Sequence, residues 1–209
     1  MRFIVLTSFL FLSALSFAQE EESSWSLKKD DDGIKVYTRE IIIDSPAEEV
    51  SENQLSYRGI VSIKSDLNSF LNVMRDVPNF DQWLHNSYDP SIVEKIDNNT
   101  RVVYQRITAP WPTTDRDSVL LQSLEQAGND YILTMESVDH DDAPESEDYV
   151  RVPYYSGSFF IKPLSTNELE VTYEAAFDSG GSVPGLVANL FIVDVPFYSL
   201  QNLRAYVEN

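Results

Sequence analysis

The sequence predicts an α+β fold, with one curved antiparallel sheet wrapped around a single long C-terminal helix. Two observations carry this expectation. First, from residue 91 to residue 177, short runs rich in β-branched and aromatic residues follow one another, separated by turns such as DNNT, AGND and STNE. Strands joined by such short turns pair antiparallel, because a parallel pair needs a crossover of about a dozen residues or more. Second, the last segment, 184–207, sets Leu186, Leu190, Val193, Phe197, Leu200, Leu203 and Val207 three or four residues apart. That spacing puts them in one apolar stripe on a long helix.

The elements follow in order. WSLKKDDDGIKVYTRE is a hairpin, with Trp25 and Leu27 before an Asp-Gly turn and Ile34, Val36 and Tyr37 after it. Residues 50–61 form a strand region of mixed polarity. Leu67, Phe70, Leu71 and Met74 then fall at helical spacing, with Ser65 as N-cap and Pro78 as stop. PNFDQWLHNSYDP is a loop rich in aromatics. Strands are expected at 91–96, 101–107, 118–126, 131–138, 149–164 and 169–177. Pro184 suits the first turn of the final helix. Pro196, in its middle, should kink it by removing a backbone donor.

The chain opens MRFIVLTSFLFLSALSFAQE. A basic start, an apolar run and small residues before Gln19 are the pattern of a secretory signal peptide, residues 1–18. The expected product is a single domain, 19–209, exported to the periplasm or the medium and soluble once cleaved near Ala18. Cysteine is absent, so no disulfide supports this domain and its core must suffice. Acids outnumber Lys and Arg 34 to 15, a formal net charge of −19, and the leader removes one further base, Arg2. Such a balance excludes a nucleic-acid partner and disfavours docking on anionic lipid.

Catalytic candidates are few. His85 and His140 stand in separate loops, and GxSxG, HExxH, GxGxxG and P-loop spacings are missing. DHDDAPESED, at 139–148, lacks the spaced Asp-x-Asp-x-Asp-Gly of a calcium loop, and reads as a solvated acidic surface. The expectation is a protein without enzymatic activity, metal or cofactor.

Between two strands lies APWPTTDRDSVLL, residues 109–121. Its prolines force a corner, since they neither continue a helix nor donate to a ladder. This corner follows Trp25, an Asp-Gly-x-x-Val-Tyr hairpin (Asp32, Gly33, Val36, Tyr37) and Trp83. After it come GSFFIKPL, TYEAAFDSGGSVPGLVANLF and PFYSLQNLR. Together, from Trp25 to Val207, these motifs resemble the START (steroidogenic-acute-regulatory-protein-related lipid transfer) domain, above all its small exported bacterial members. The resemblance implies a helix-grip fold with a hydrophobic tunnel between sheet and helix. It implies binding, shielding or transfer of a lipid, sterol or isoprenoid-like molecule without chemistry, by a monomer that touches membranes transiently.

The candidate cavity and gate residues are Trp83, Tyr104, Trp111, Arg116, Met135, Phe159, Ile161, Tyr173, Ala175, Leu186, Leu190 and Phe197. Alternation puts Phe159 and Ile161 on one face and Val171, Tyr173, Ala175 and Phe177 on another. Each serves a filled core as well as a cavity wall, and small Gly157 and Ala175 are the positions that would leave space. Trp111 is expected near one end of the cavity. Arg116 is either a structural clamp held by Asp115, Asp117 or another carboxylate, or a contact for a ligand headgroup, while Val119 and Leu121 continue inward. Gly180-Gly181 is a hinge or an ordinary turn, and 77–90 a second gate over the mouth. Two other readings stand beside the carrier. One is an interaction module using the aromatic 78–90 loop without a ligand. The other is a cyclase or hydrolase in the same cavity, with Tyr104 or Glu136 as its acid.

Overall fold

The computed structural model describes residues 25–40, 54–181 and 185–209, and side chains over 25–40, 56–181 and 191–209. The expected signal peptide, Pro184 and the side chains of Leu186, Val187 and Leu190 lie outside these residues.

Among the described residues, ten strands form one sheet: β1 (Ser26–Asp31), β2 (Ile34–Glu40), β3 (Gln54–Ile63), β4 (Ser87–Lys95), β5 (Thr100–Ile107), β6 (Arg116–Ala127), β7 (Asp130–Ser137), β8 (Val150–Arg151), β9 (Tyr154–Ser165) and β10 (Glu168–Asp178). The spatial order is β1-β2-β3-β10-β9-β7-β6-β5-β4. Every pair along this path is antiparallel, as the short turns demand, while β8 pairs in parallel with the start of β6. Helix α1 (Leu67–Arg75) and a 3-10 helix (Val77–Gln82) link β3 to β4, and α2 (Gly185–Glu208) closes the chain. The predicted class, a curved antiparallel sheet gripping a C-terminal helix, is the observed one.

Local chemistry explains the elements and several departures from expectation. The β1–β2 turn needs two left-handed residues, and Asp32 (φ 51) and Gly33 (φ 70) supply them. Asp66, not Ser65, caps α1. Its carboxylate accepts from the Ser69 N–H at 3.0 Å, while the Ser65 hydroxyl donates to the Asp66 carbonyl. Pro78 does not open a loop but lies in the first turn of the 3-10 helix, where a missing N–H costs nothing. The expected strand 149–164 divides at Val152-Pro153, since proline cannot donate to the ladder. Through Pro196, α2 runs on as one helix.

The main core fills the space between the sheet's inner face and the helices. Tyr57, Val61, Phe70, Met74, Trp83, Leu133, Phe159, Ile161, Val171, Phe197, Leu200 and Leu203 are all buried in it. Gly59 lets α2 approach closely, for a Cβ there would stand 2.6 Å from Leu200 Cδ1. Phe159 lies opposite Tyr173, Ile161 opposite Val171 and Gly157 opposite Ala175. The two sets assigned to separate faces therefore share one inner face, because directly paired antiparallel residues project to the same side. A smaller cluster of Val102, Val119 and Ala143, with Tyr104 and Leu121 packed against it, covers the other face. Val119 and Leu121 thus point away from the helix, contrary to expectation. Odd and even positions divide the strand, and on β6 the inward side belongs to Arg116, Ser118, Leu120 and Leu124.

Candidate functional site

Three adjoining voids run along the inner face of the sheet, two of them under α2 and the third under the 3-10 helix and the turn after it. The central one, about 80 Å³ open to the centre of a water molecule, has among its lining Tyr57, His85, Ser87, Gln105, Arg116, Ser118, Tyr155, Tyr173 and Phe177, with Phe191 and Val195 from α2. Its outer neighbour, about 300 Å³, lies among His85, Asn86, Thr108, Ala109, Pro110, Phe191 and Asp194, so His85 and Phe191 form the common threshold. Its inner neighbour is a recess of about 10 Å³ among Phe80, Trp83, Leu133, Met135 and Phe159. This recess shares Leu84, Gln105, Tyr155 and Tyr173 with the central void. A mouth, a chamber and an aromatic inner recess thus lie in sequence.

The strands set these walls by parity. β5 turns Gln105 and Ile107 inward and Tyr104 outward, and β6 turns Arg116 and Ser118 inward. Room in the chamber depends on Gly157. A Cβ there would come within 2.6 Å of Tyr155 Cε1 and 2.7 Å of its hydroxyl. The Tyr155 ring occupies that space, and its hydroxyl lies 2.9 Å from that of Tyr173. Phe159 stacks on Tyr173 with centroids 4.1 Å apart, and Trp83 meets Phe159 edge-on at 5.9 Å. Burial pushes the Tyr57, Tyr155 and Tyr173 phenols up, so they stay protonated as hydrogen-bonding groups.

The polar wall is concentrated on one side. Arg116 is 6 % exposed, and its guanidinium donates to the backbone carbonyls of Thr114, Ser179 (3.4 Å) and Gly180 (3.3 Å). The expected clamp by Asp115 or Asp117 does not form. Asp115 instead accepts from the Tyr88 hydroxyl and the Ala109 N–H, and Asp117 takes Arg151 in a two-pronged pair at 2.9 Å. Burial lowers the Arg116 proton affinity, with Asp115 opposing it. Ser87, Ser118 and Ser179 present buried hydroxyls without a hydrogen-bond partner, and so does the Trp83 indole N–H. His85 at the threshold is held by its N–H, which donates to Ser199 Oγ at 3.0 Å, and burial pulls its ring below the usual histidine range.

Of the residues named from sequence, Trp83, Arg116, Met135, Phe159 and Tyr173 converge on this line of voids. Ile161, Ala175 and Phe197 are buried in the core beside it but do not line it. Phe197 carries the Lys29 ammonium 3.5 Å above its ring. Tyr104 lies on the opposite face, where its hydroxyl donates to Asp117 at 3.1 Å. Trp111 is 91 % exposed and outside the lining, because the Pro-Trp-Pro corner turns its side chain to solvent. Phe80 and Trp83 are packed into the core rather than poised as a gate, and within this loop it is His85 that stands at the threshold.

Sequence reasoning missed Ser87, Gln105, Ser118 and Tyr155. A register counted from the buried Leu120 and Val103 would have turned Ser118 and Gln105 inward, while Ser87 and Tyr155 carry no such local signal. The acidic loop borders a wider cleft of about 820 Å³ with Glu94 and Arg151, but its walls are polar and open. Among the described residues, no group of three His, Cys, Asp or Glu side chains is placed to hold a metal.

A sequence model of the START domain matches residues 14–207, nearly the whole chain. The chain belongs to the START domain family. This START domain is 29% identical over 208 residues to an uncharacterised protein of Pseudomonas aeruginosa, across 100% of this chain and 97% of the relative. The crystal structure of a STAR-related lipid transfer protein from Xanthomonas axonopodis superposes with a TM-score of 0.76 at 31% identity. The match covers 89% of this chain and 99% of that one. The ceramide transfer protein of Xenopus tropicalis is 25% identical over 183 residues, 79% of this START domain and 29% of that longer protein. The sheet and α2 described above are therefore the family's helix-grip fold.

Proposed function

We propose that this START domain is a carrier that shields one hydrophobic molecule from water in the chamber between the sheet and α2. The observation that carries the reading is the run of three voids through shared residues, apolar at the Trp83 end and polar at Arg116. Membership of the family speaks for lipid binding in general, as do neighbours named for lipid and ceramide transfer. Removing a lipid's chain from water supplies the driving force, about 25 cal/mol per Å² of apolar surface buried. The chamber's 80 Å³ is smaller than the roughly 300–1,000 Å³ of typical ligand pockets. Loading therefore enlarges it, and α2 is the wall that yields. The backbone turns toward α2 at Gly180 and Gly181, with φ of 65 and 60, torsions that glycine adopts freely.

The ligand leaves unaltered, because the acids proposed for catalysis stand off the chamber. Tyr104 is on the outer face, and exposed Glu136 accepts from the Ser156 hydroxyl at 2.8 Å. The leader-like first residues fit a monomer that works outside the cytoplasm, in the periplasm or the medium. Loading proceeds at a membrane through Trp111, exposed on the same corner as the mouth residues Ala109 and Pro110. An indole suits the headgroup zone of a bilayer.

Native mass spectrometry of protein purified from its own host tests the carrier, followed by organic extraction. A discrete extra mass that extracts as a lipid is the expected result. A bare polypeptide, unchanged after incubation with a mixed lipid extract, sinks the carrier and leaves the interaction module.

A further inference from the structure

We propose that the chamber receives an amphiphile with an anionic oxygen head, a carboxylate or a phosphate, for which Arg116 is the counter-charge. This rests on the carrier reading and names its class of cargo. A buried guanidinium calls for a net negative charge beside it. Arg116 has three carbonyls for partners, which offer dipoles but no charge. Among the described residues, no carboxylate forms an ion pair with it. The two acids flanking it in sequence are engaged elsewhere. Asp115 holds Tyr88 and Ala109, and Asp117 holds Arg151 and Tyr104.

Donors remain on that wall. A guanidinium carries five N–H groups, and the carbonyls take one from each of its three nitrogens. The hydroxyls of Ser87 (9 % exposed), Ser118 (2 %) and Ser179 line the same chamber and have no partner. Asp115 supports the Arg116 charge only through space. Buried polar groups are normally satisfied, so several orphans in the same wall as a cation without an ion pair point to an acceptor that arrives with the ligand. A carboxylate or phosphate accepts from several donors at once and brings the missing charge. A single neutral hydroxyl or an ester does neither.

The test is a fluorescence titration of the delipidated full chain with pyrene-labelled hexadecanoic acid and with its methyl ester. The acid is expected to bind at least about tenfold tighter than the ester, the usual scale of a charge-assisted hydrogen bond. Arg116→Gln is expected to abolish the acid's advantage over the ester. Hexadecanoate and hexadecyl phosphate compete for the probe, and the stronger competitor identifies the anion. Since Arg116 also holds Ser179 and Gly180, that variant can fail to fold, and the Ser87→Ala/Ser118→Ala double variant then serves. It is expected to narrow the acid's advantage without lowering the melting temperature, because neither hydroxyl has a protein partner. Equal binding of acid and ester by the native chain overturns the anionic head while the carrier stands. Failure to bind acid, ester and a host lipid extract alike overturns both.

Discussion

Asp117 shows how one side chain ties the corner to the sheet. Its side chain is 1 % exposed, and it accepts Nε and Nη2 of Arg151 at 2.9 Å and the Tyr104 hydroxyl at 3.1 Å. Arg151 also donates to the carbonyls of Ala143 and Pro144, so the same pair fastens the acidic loop over the outer core. Such a pair adds little against an apolar alternative, but removing one member strands the other's charge. Asp117→Ala is therefore expected to cost about 3–5 kcal/mol, read as a fall in the urea midpoint. Arg116, one residue earlier, faces the chamber instead. Adjacent residues of a strand point to opposite sides, and that alone gives the Arg-Asp pair two unrelated roles.

At the scale of elements, α2 is held to the sheet by close approach and by one turn. Gly59 on β3 admits Leu200, and Gly59→Ala must push the helix outward or bend the strand. The expected cost is about 1–3 kcal/mol, measurable by thermal unfolding, with altered ligand affinity because the chamber lies under the same helix. In the same C-terminal part of α2, Gln201 and Arg204 donate to Asp32 of the β1–β2 turn. Those contacts, first the Gln201 hydrogen bond and then the Arg204 charge, hold the Asp32 carboxyl below its usual 3.8. A carboxyl depressed in the folded state adds stability above its unfolded value and loses it as pH falls through the folded one. The melting-temperature advantage of the native chain over Asp32→Asn should therefore shrink once the pH drops below about 4. Asparagine tolerates the left-handed backbone at this position, so the comparison isolates the charge. An advantage that persists at low pH would remove the ionic account of this contact.

At the scale of the molecule, the proposed carrier sets a largely enclosed chamber inside an acidic, water-facing shell. A net charge of −19 disfavours anionic surfaces, so the proposed loading through Trp111 should work best on zwitterionic bilayers. Trp111→Ala is expected to slow lipid exchange with phosphatidylcholine vesicles several-fold while leaving equilibrium affinity in solution unchanged. Unaltered exchange kinetics would remove Trp111 from the loading route.

Turn chemistry and hydropathy period act locally, so the class of fold, the hairpin, both helices and nearly every strand were legible in the residues alone. So was enough of the Pro-Trp-Pro, Arg-Asp and Gly-Gly order to identify the family. Which buried residues face the chamber was settled by packing and register in three dimensions. On β6, Arg116 to Leu120 are buried without a break, since α2 lies over one face and the 139–148 loop over the other. With both sides covered, alternation of polarity vanishes, and only pairing register separates Ser118 from Val119. The same limit hid Tyr155, whose ring folds back into room left by Gly157, a choice made by packing rather than by pattern.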